Sequence, residues 1–458
     1  MKKQIIVYVL IAVCVMQVAC KKTEFLDKKP NSGIIIPTTL TDMRLLLDYT
    51  QVFTFSPGLG EMAADDYYVL PVNWQALPAI ERSSYIWDAD IYTNQQSVSD
   101  WSLPYQQILY CNIILEQLEK INPASTELTE WRDIKGAALF ARAFALSGLV
   151  QHFAPAFDSS TMTSDLGVPI RLNTDVKNYS QRNTVKECYD QIFSDLQTAV
   201  PLLLPSVPPI AKNRPSRPAA YALLARTALF TSQYAQAKLY ADSCLQLYNT
   251  LIDYNTVSTS SVTPFDRSPQ ESLYYSQAIS SYTILSTIST TTFVDTLLYN
   301  QYANNDLRRA IFFRTISGNN MGFKRGYTGA ITIFTGLATN EVYLIRAEAL
   351  ARLGQATAAM TDLNSLLRNR WRTGTFIPLT AISPADALAK VLVERRKELV
   401  WRGLRWQDLK RYNKQGQTTT LTRLLGTSRY TLSPNSNKYV FAIPQDEISQ
   451  SSLIQNPR

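Results

Sequence analysis

The chain has 458 residues, 18% of them charged and 11% aromatic, with 25 tyrosines and a formal net charge of +8. That length exceeds one ordinary core, so two domains or a repeat architecture is expected, and low charge with abundant tyrosine fits an extracytoplasmic binding protein better than a cytosolic enzyme. Basic residues are spread along the chain without a Lys/Arg-rich run, which argues against a nucleic-acid partner.

Lys2 and Lys3 precede an apolar stretch at residues 5–16, the layout of a secretory signal. The stretch is too short to span a bilayer as a helix. Val18-Ala19-Cys20 then supplies small residues before a cysteine, so residues 1–19 read as a signal peptide and Cys20 as a lipidation site. Gln17 departs from the leucine common there. Two or more acyl chains on Cys20 would hold the mature chain to a membrane where one would not. Residues 20–37 form a polar tether. Cys14 leaves with the signal, while Cys111, Cys188 and Cys244 sit in helical patterns without a CxxC partner and are expected to be small core residues.

Helical spacing then dominates. Residues 101–121 place Tyr105, Ile108, Leu109, Ile113 and Leu115 in helical register, with residues 40–47 as a shorter partner helix. Residues 130–153 are alanine-rich, and Asn183-Thr184 can cap a helix running through Cys188 to Val200. Two later hairpins superpose at a separation of 122 residues: Ala225, Ala228, Tyr234, Ala237, Ala241 and Cys244 match Ala347, Leu350, Ala356, Ala359, Leu363 and Leu366. Small residues near the end of one helix and the start of the next let antiparallel helices approach closely, as in tetratricopeptide repeats. Gly354 occupies the place of a left-handed C-cap in the second hairpin. The expected fold is mainly α: a TPR-like superhelix of about four helix pairs, running discontinuously over residues 38–372. Two insertions interrupt it. Residues 53–100 are rich in Tyr, Trp, Asp and Pro and show no helical period; residues 255–336 are rich in Ser, Thr and aromatics, with short pieces such as residues 330–334 that alternate like strands. Long aromatic insertions of this kind are functional more often than disordered.

Beyond them, Leu388, Val391, Leu392 and Leu399 make one apolar stripe, which Gly403 separates from a second at Trp406, Leu409 and Tyr412. Arg395 lies on the first stripe and needs a carboxylate, either Asp408 or Glu348, because a buried unpaired charge is costly. Glu394 and Glu398 are placed to pair along the helix surface. The cluster reads as an internal clamp of the C-terminal helices.

Catalysis is poorly served. His152 is the single histidine, on an apolar face, which leaves neither a metal set nor a Ser/His/Asp or Cys/His nucleophile; no GxSxG, Walker A or GxGxxG segment occurs. Asp65 with Asp66, and Asp88 with Asp90, are carboxylate pairs that a glycosidase would need to place across a cleft, but nothing marks either as acid and base. No enzyme activity, cofactor or metal is expected.

Several segments resemble the RagB/SusD family of Bacteroidetes surface lipoproteins. Glu394 to Leu399 (ERRKEL) and Gly403 to Arg411 (GLRWQDLKR) resemble its C-terminal signature, and Phe25-Leu26-Asp27 after Cys20 resembles its N-terminus. Residues 136–154 with Gly167-Val168-Pro169, residues 305–309, residues 340–350, residues 441–448 and Gln455-Asn456-Pro457 resemble further family marks in order, with Phe153-Ala154-Pro155 departing from the commoner Tyr-Gly turn. The resemblance implies one SusD-like domain over residues 38–458, insertions at about 53–100 and 255–336, and C-terminal helices and tail at 383–458. It implies a lipid-anchored protein of the outer membrane and cell surface that binds an oligosaccharide, or a peptide, and delivers it to a SusC-like TonB-dependent transporter. The alternatives from other classes are a TPR-type scaffold without small ligand and a carbohydrate-cleaving enzyme. Trp and Tyr offer flat faces to sugar rings, and Asp or Arg bond hydroxyls, so the ligand candidates are Asp66, Tyr67, Trp74, Arg82 and Trp87 from the first insertion and Tyr282, Tyr299 and Tyr327 from the second.

Overall fold

The computed structural model describes residues 36–92, 95, 97–175, 181–209 and 212–458; the expected signal peptide, Cys20 and most of the tether lie outside them. Ten helices of eight residues or more carry the described body: α1 (Leu40–Leu47), α2 (Ser99–Leu118), α3 (Leu128–Phe153), α4 (Val185–Ala199), α5 (Arg217–Phe230), α6 (Tyr234–Leu247), α7 (Thr339–Arg352), α8 (Ala356–Arg368), α9 (Pro384–Glu398) and α10 (Arg405–Lys414). Their starts follow from local chemistry. Thr39 and Asp42 form a reciprocal capping box at α1, as do Thr184 and Glu187 at α4, satisfying amides that the first turn leaves orphaned. Ser216 caps α5 and Ser383 caps α9, each with a proline in the first turn.

Consecutive helices pack as antiparallel neighbours from α2 through α8, with α9 laid against α7 and α8. The alanines that the 122-residue repeat aligns are the contact residues: Ala225, Ala228, Ala237, Ala241, Ala347 and Ala359 are all fully buried. Helix α3 is apolar on nearly every side, as a helix surrounded by others must be, and its chief partner is α2. Helix α1 does not pair with α2 alone, as its spacing predicts, but lies across both α2 and α3, because eight residues present only Leu40, Met43 and Leu47 as a buried face. Gly354 ends α7 at φ +81°, and Cys111, Cys188 and Cys244 are free and buried.

Buried arginines pin the helices in register. Arg142 of α3 reaches Asp195 of α4 through two bonds of 2.7 and 2.8 Å. Arg226 of α5 holds Glu341 of α7 at 2.6 and 2.7 Å, and Arg346 of α7 bridges Asp362 of α8 and Asp242 of α6. Paired guanidinium–carboxylate forks fix both distance and plane.

The insertions contain more regular structure than their sequence suggests. The first forms the short helices Leu59–Ala63, Pro71–Gln75 and Ala79–Tyr85, each too brief for a period to show. Residues 330–334 are not a strand: Thr328 Oγ1 donates to the Thr332 carbonyl and accepts from the Ala330 amide, folding them into local turns and leaving a bridge from Phe334 to Gln277. Among the described residues the sheets are two-stranded, and two of them join the insertions. Phe55–Ser56 runs parallel to Gln277–Ala278, and Tyr67–Val69 runs antiparallel to Thr292–Val294.

Both insertions are gripped by α9, α10 and the turn between them. On the first, Arg396 and Arg405 bind Asp65 and Asp66. On the second, Arg308 is completely buried and binds Asp306, Glu394 and Glu398, while Arg370 binds Glu398 and Glu271. Glu394 and Glu398 therefore face inward across the fold, and the one pairing along the helix, Lys397 with Glu394 at 2.8 Å, is itself buried instead of lying on a solvated surface. Arg395 takes Asp408 at 2.8 Å, and Glu348 goes to Arg411 at 2.5 and 2.7 Å. The turn itself is bent sharply, with Trp401 at φ +61° and Gly403 at φ +69°. A left-handed tryptophan is costly. It is held by stacking on Phe323 of the second insertion at 4.0 Å and by meeting Tyr67 of the first edge-on at 5.3 Å.

Arg411→Ala removes the two-bond partner of buried Glu348, leaving it only Arg352 at 3.1 Å, and takes one of two arginines from Asp408; it should destabilise the fold by about 3 kcal/mol in urea unfolding. The double substitution Arg411→Met with Glu348→Leu, which removes both charges together, should cost less than either single change.

Candidate ligand-binding site

The seam between the insertions opens to the surface as a cleft of about 600 Å³, a volume in the range of ligand sites. One wall is Ile279, Ser280 and Ser281; the other is Gln51, Phe55 and the α2 residues Ser99, Ser102, Leu103 and Gln106. Spacing of three and four puts those last residues on one helix face. The opposite face of α2 is buried in the body.

Two buried acids make the floor rigid. Asp100, at the start of α2, accepts from the amides of Gly58 and Leu59 at 2.6 and 2.9 Å, and from the Tyr282 hydroxyl at 2.5 Å. Burial raises its carboxyl above the usual range, with the hydrogen bonds opposing. Glu81 accepts from the amides of Thr283 and Ile284 at 3.0 and 2.8 Å. Residues 282–284 of one insertion are thus nailed to residues 58–59, 81 and 100 of the other, just behind the wall at residues 279–281. No described residue lining the cleft is charged. What it offers is hydroxyl and amide groups beside the apolar surfaces of Phe55, Leu103 and Ile279.

The eight residues expected from sequence are not gathered in this cleft. Five are interior. Asp66 is 1% exposed and bonded to Arg396. Tyr67 gives its hydroxyl to the Met62 carbonyl, Trp87 its indole N–H to Ala63, and Tyr327 its hydroxyl to Glu271. Tyr282 lies beneath the cleft, spent on Asp100. Each is buried with its polar atom satisfied by protein, so each holds the frame instead of presenting a face outward. Trp74, Arg82 and Tyr299 keep part of their surface. The Trp74 indole donates to the Arg82 carbonyl, Arg82 closes its own turn on Gln75 and Leu77, and Tyr299 underlies Arg309. The cleft residues escaped sequence reading because small polar side chains on one helix face look like an ordinary solvated stripe. The available signal was position: Ser99, Ser102 and Gln106 follow directly on an aromatic insertion.

Asp65 and Asp66 are shifted in opposite directions beside the same arginines. Although burial works against it, Arg405 and Arg396 hold the Asp65 carboxyl well below the usual carboxylate range, whereas burial outweighs the same arginines at Asp66 and raises it. His152 is buried, bonds the Gly148 carbonyl through Nδ1 at 2.8 Å, and is pushed down to about 4 by its burial. Glu61 is 2% exposed and makes no side-chain hydrogen bond. Burial, and next Asp66, push its carboxyl up to about 8, with the Gly403 backbone amide opposing only in part. The fold thus keeps Glu61 as a neutral acid.

Family comparisons agree with this architecture. A family model described as "Starch-binding associating with outer membrane" matches residues 24–229, and the SusD family model matches residues 337–458. The comparison with curated proteins returns no match. Among solved structures, a SusD superfamily protein from Bacteroides thetaiotaomicron aligns at TM-score 0.75 and 22% identity, covering 92% of this chain and 100% of its own. A SusD-like carbohydrate binding protein from Bacteroides vulgatus aligns at 0.69 and 20%, covering 91% and 97%. Another so described, from Bacteroides fragilis, aligns at 0.67 and 14%, covering 92% and 99%. The fold defines a helical-repeat protein with two long insertions. The two family models together take in well over half of the sequence: the chain belongs to the SusD family.

Because the neutral form of Glu61 is the one the fold holds, its contribution is complete below pH about 4.5 and lost as pH rises through about 8. Glu61→Gln should therefore be more stable than the parent at pH 7.5, by on the order of 3 kcal/mol, with the difference closing at pH 4.5 in a calorimetric pH series.

Proposed function

We propose that this chain is a non-catalytic carbohydrate-binding protein of the outer membrane, which takes a neutral oligosaccharide into the cleft between its insertions and passes it to a SusC-like TonB-dependent transporter. On this reading residues 1–19 are removed, Cys20 carries the lipid anchor, residues 20–37 are a tether, and residues 38–458 are the binding domain on the cell surface. The observation that carries it is the lining of the cleft: side-chain hydroxyls and amides set beside Phe55, Leu103 and Ile279, with no charge among them. Sugars pair alternating hydroxyl and C–H surfaces, and such a wall matches both without asking the ligand to carry charge. The same lining supplies no acid and base, and Asp65 and Asp66 are engaged by arginines, which supports capture without hydrolysis. Membership of the SusD family and the carbohydrate-binding descriptions of two structural relatives point the same way. Trp74, Arg82 and Tyr299 retain enough surface to serve as outlying contacts.

Isothermal titration against neutral oligosaccharides, charged glycans and peptides tests the reading. A neutral glycan should bind, Phe55→Ala should weaken it at least tenfold and Gln106→Ala severalfold, with unchanged circular dichroism. Uniform absence of glycan binding, or release of shorter products on incubation, overturns it.

A further inference from the structure

A second, smaller cavity lies between the second insertion and the α9–α10 turn, lined by none of the residues of the open cleft. It holds about 40 Å³, enough for a few water-sized atoms and far too small for a sugar ring. Its walls include Tyr254, Phe265, Phe323, Tyr327, Phe334 and Trp401. Lys324, Arg325 and Arg402 also line it, and among the described residues none of these three cations forms an ion pair. Arg402 is 7% exposed, and its Nε and Nη2 atoms are buried with no protein acceptor. Arg325 Nε and the Trp401 indole N–H are likewise without acceptors. The other cation, Lys324, gives its ammonium to the Thr259 carbonyl at 2.6 Å.

Every other buried guanidinium named above has at least one carboxylate. Arg402 has instead the faces of Tyr327 and Phe334, at 4.8 and 4.6 Å from their centroids. Those faces hold the cation in place but leave its N–H edge unanswered. The one acid on the wall, Glu398, is bonded to Arg308, Arg370 and Asn340. Water would satisfy the donors and leave the charge. An anion satisfies both, and a low-dielectric aromatic wall strengthens its attraction to three nearby cations. We infer that this cavity is a binding site for a small monovalent anion, a halide or a formate-sized carboxylate, held by the N–H edge of Arg402 with Lys324 and Arg325 supplying further positive charge.

The site is independent of the glycan cleft, so it is tested without a glycan. The full chain is titrated with sodium formate and with sodium bromide at constant ionic strength, read by intrinsic fluorescence, since Trp401 is on the cavity wall, and by melting temperature. Saturable binding in the millimolar range is expected, weakened at least tenfold in Arg402→Gln and severalfold in Lys324→Gln. Should Arg402→Gln fail to fold, bromide-soaked crystals of the unsubstituted chain decide the matter: an anomalous peak within hydrogen-bonding distance of the Arg402 guanidinium supports the site. Bromide peaks elsewhere but none at Arg402, or a titration that is linear or unchanged by both substitutions, overturns it.

Discussion

Glu398 is the point on which the architecture turns. Its carboxylate accepts from Arg308 of the second insertion, from Arg370 just beyond α8, and from Asn340 at the start of α7. Every one of these groups is at most 1% exposed, so the attraction acts in a poorly screened interior and the geometry must be right for the desolvation to be offset. Arg370 extends the chain of charge to Glu271, which also accepts from Tyr327. A charge network of this kind contributes less net stability than its bonds suggest, but it tolerates very few alternative arrangements. It fixes where the second insertion sits relative to the helical frame.

The first insertion is placed by a parallel device on the outer side of the same helix pair. Arg396 and Arg405 take Asp65 and Asp66, and Arg423, in the antiparallel pair Leu421–Leu425 and Ser428–Leu432, binds the carbonyls of Ala64 and Tyr67. Between the two grips stands the strained turn, where Trp401 touches one ring from each insertion. The tail adds a final lock: Asn456 donates to the carbonyls of Phe153 and Phe441, and the Phe441 amide bonds the His152 carbonyl, sewing the C-terminal segment onto the end of α3. The cleft is thus a consequence of rigid placement. Its own walls are short polar side chains beside Phe55, Leu103 and Ile279, with no charge to organise them, and Asp100 and Glu81 beneath them inherit their positions from elements held elsewhere.

This division of labour explains how the binding vocabulary of the sequence misleads. Tyr67, Trp87, Tyr282 and Tyr327 have the composition of a sugar platform, but large aromatics with a polar tip are equally suited to a core in which each tip finds a carbonyl or carboxylate. Asp66 has the chemistry of a hydroxyl acceptor, but Arg396, brought from 330 residues along the chain, claims it first. The choice between the two uses depends on neighbours that a linear reading does not contain.

Local pattern was sufficient wherever the cause is local. The capping residues Thr184 and Gly354, the alanine register of the two matching hairpins, the burial of the cysteines, and the need of Arg395 for an acid all follow from spacing and side-chain chemistry, because helix geometry converts a few residues of sequence into a defined face. The tertiary structure alone decided which acid answered which arginine, that Glu394 and Glu398 turn inward, that α1 straddles two helices, and that Ser99, Ser102 and Gln106 at the start of α2 became the wall of a cleft. Those outcomes are set by competition among groups distant in sequence for the same buried partner, and only the folded chain brings the competitors within reach of one another.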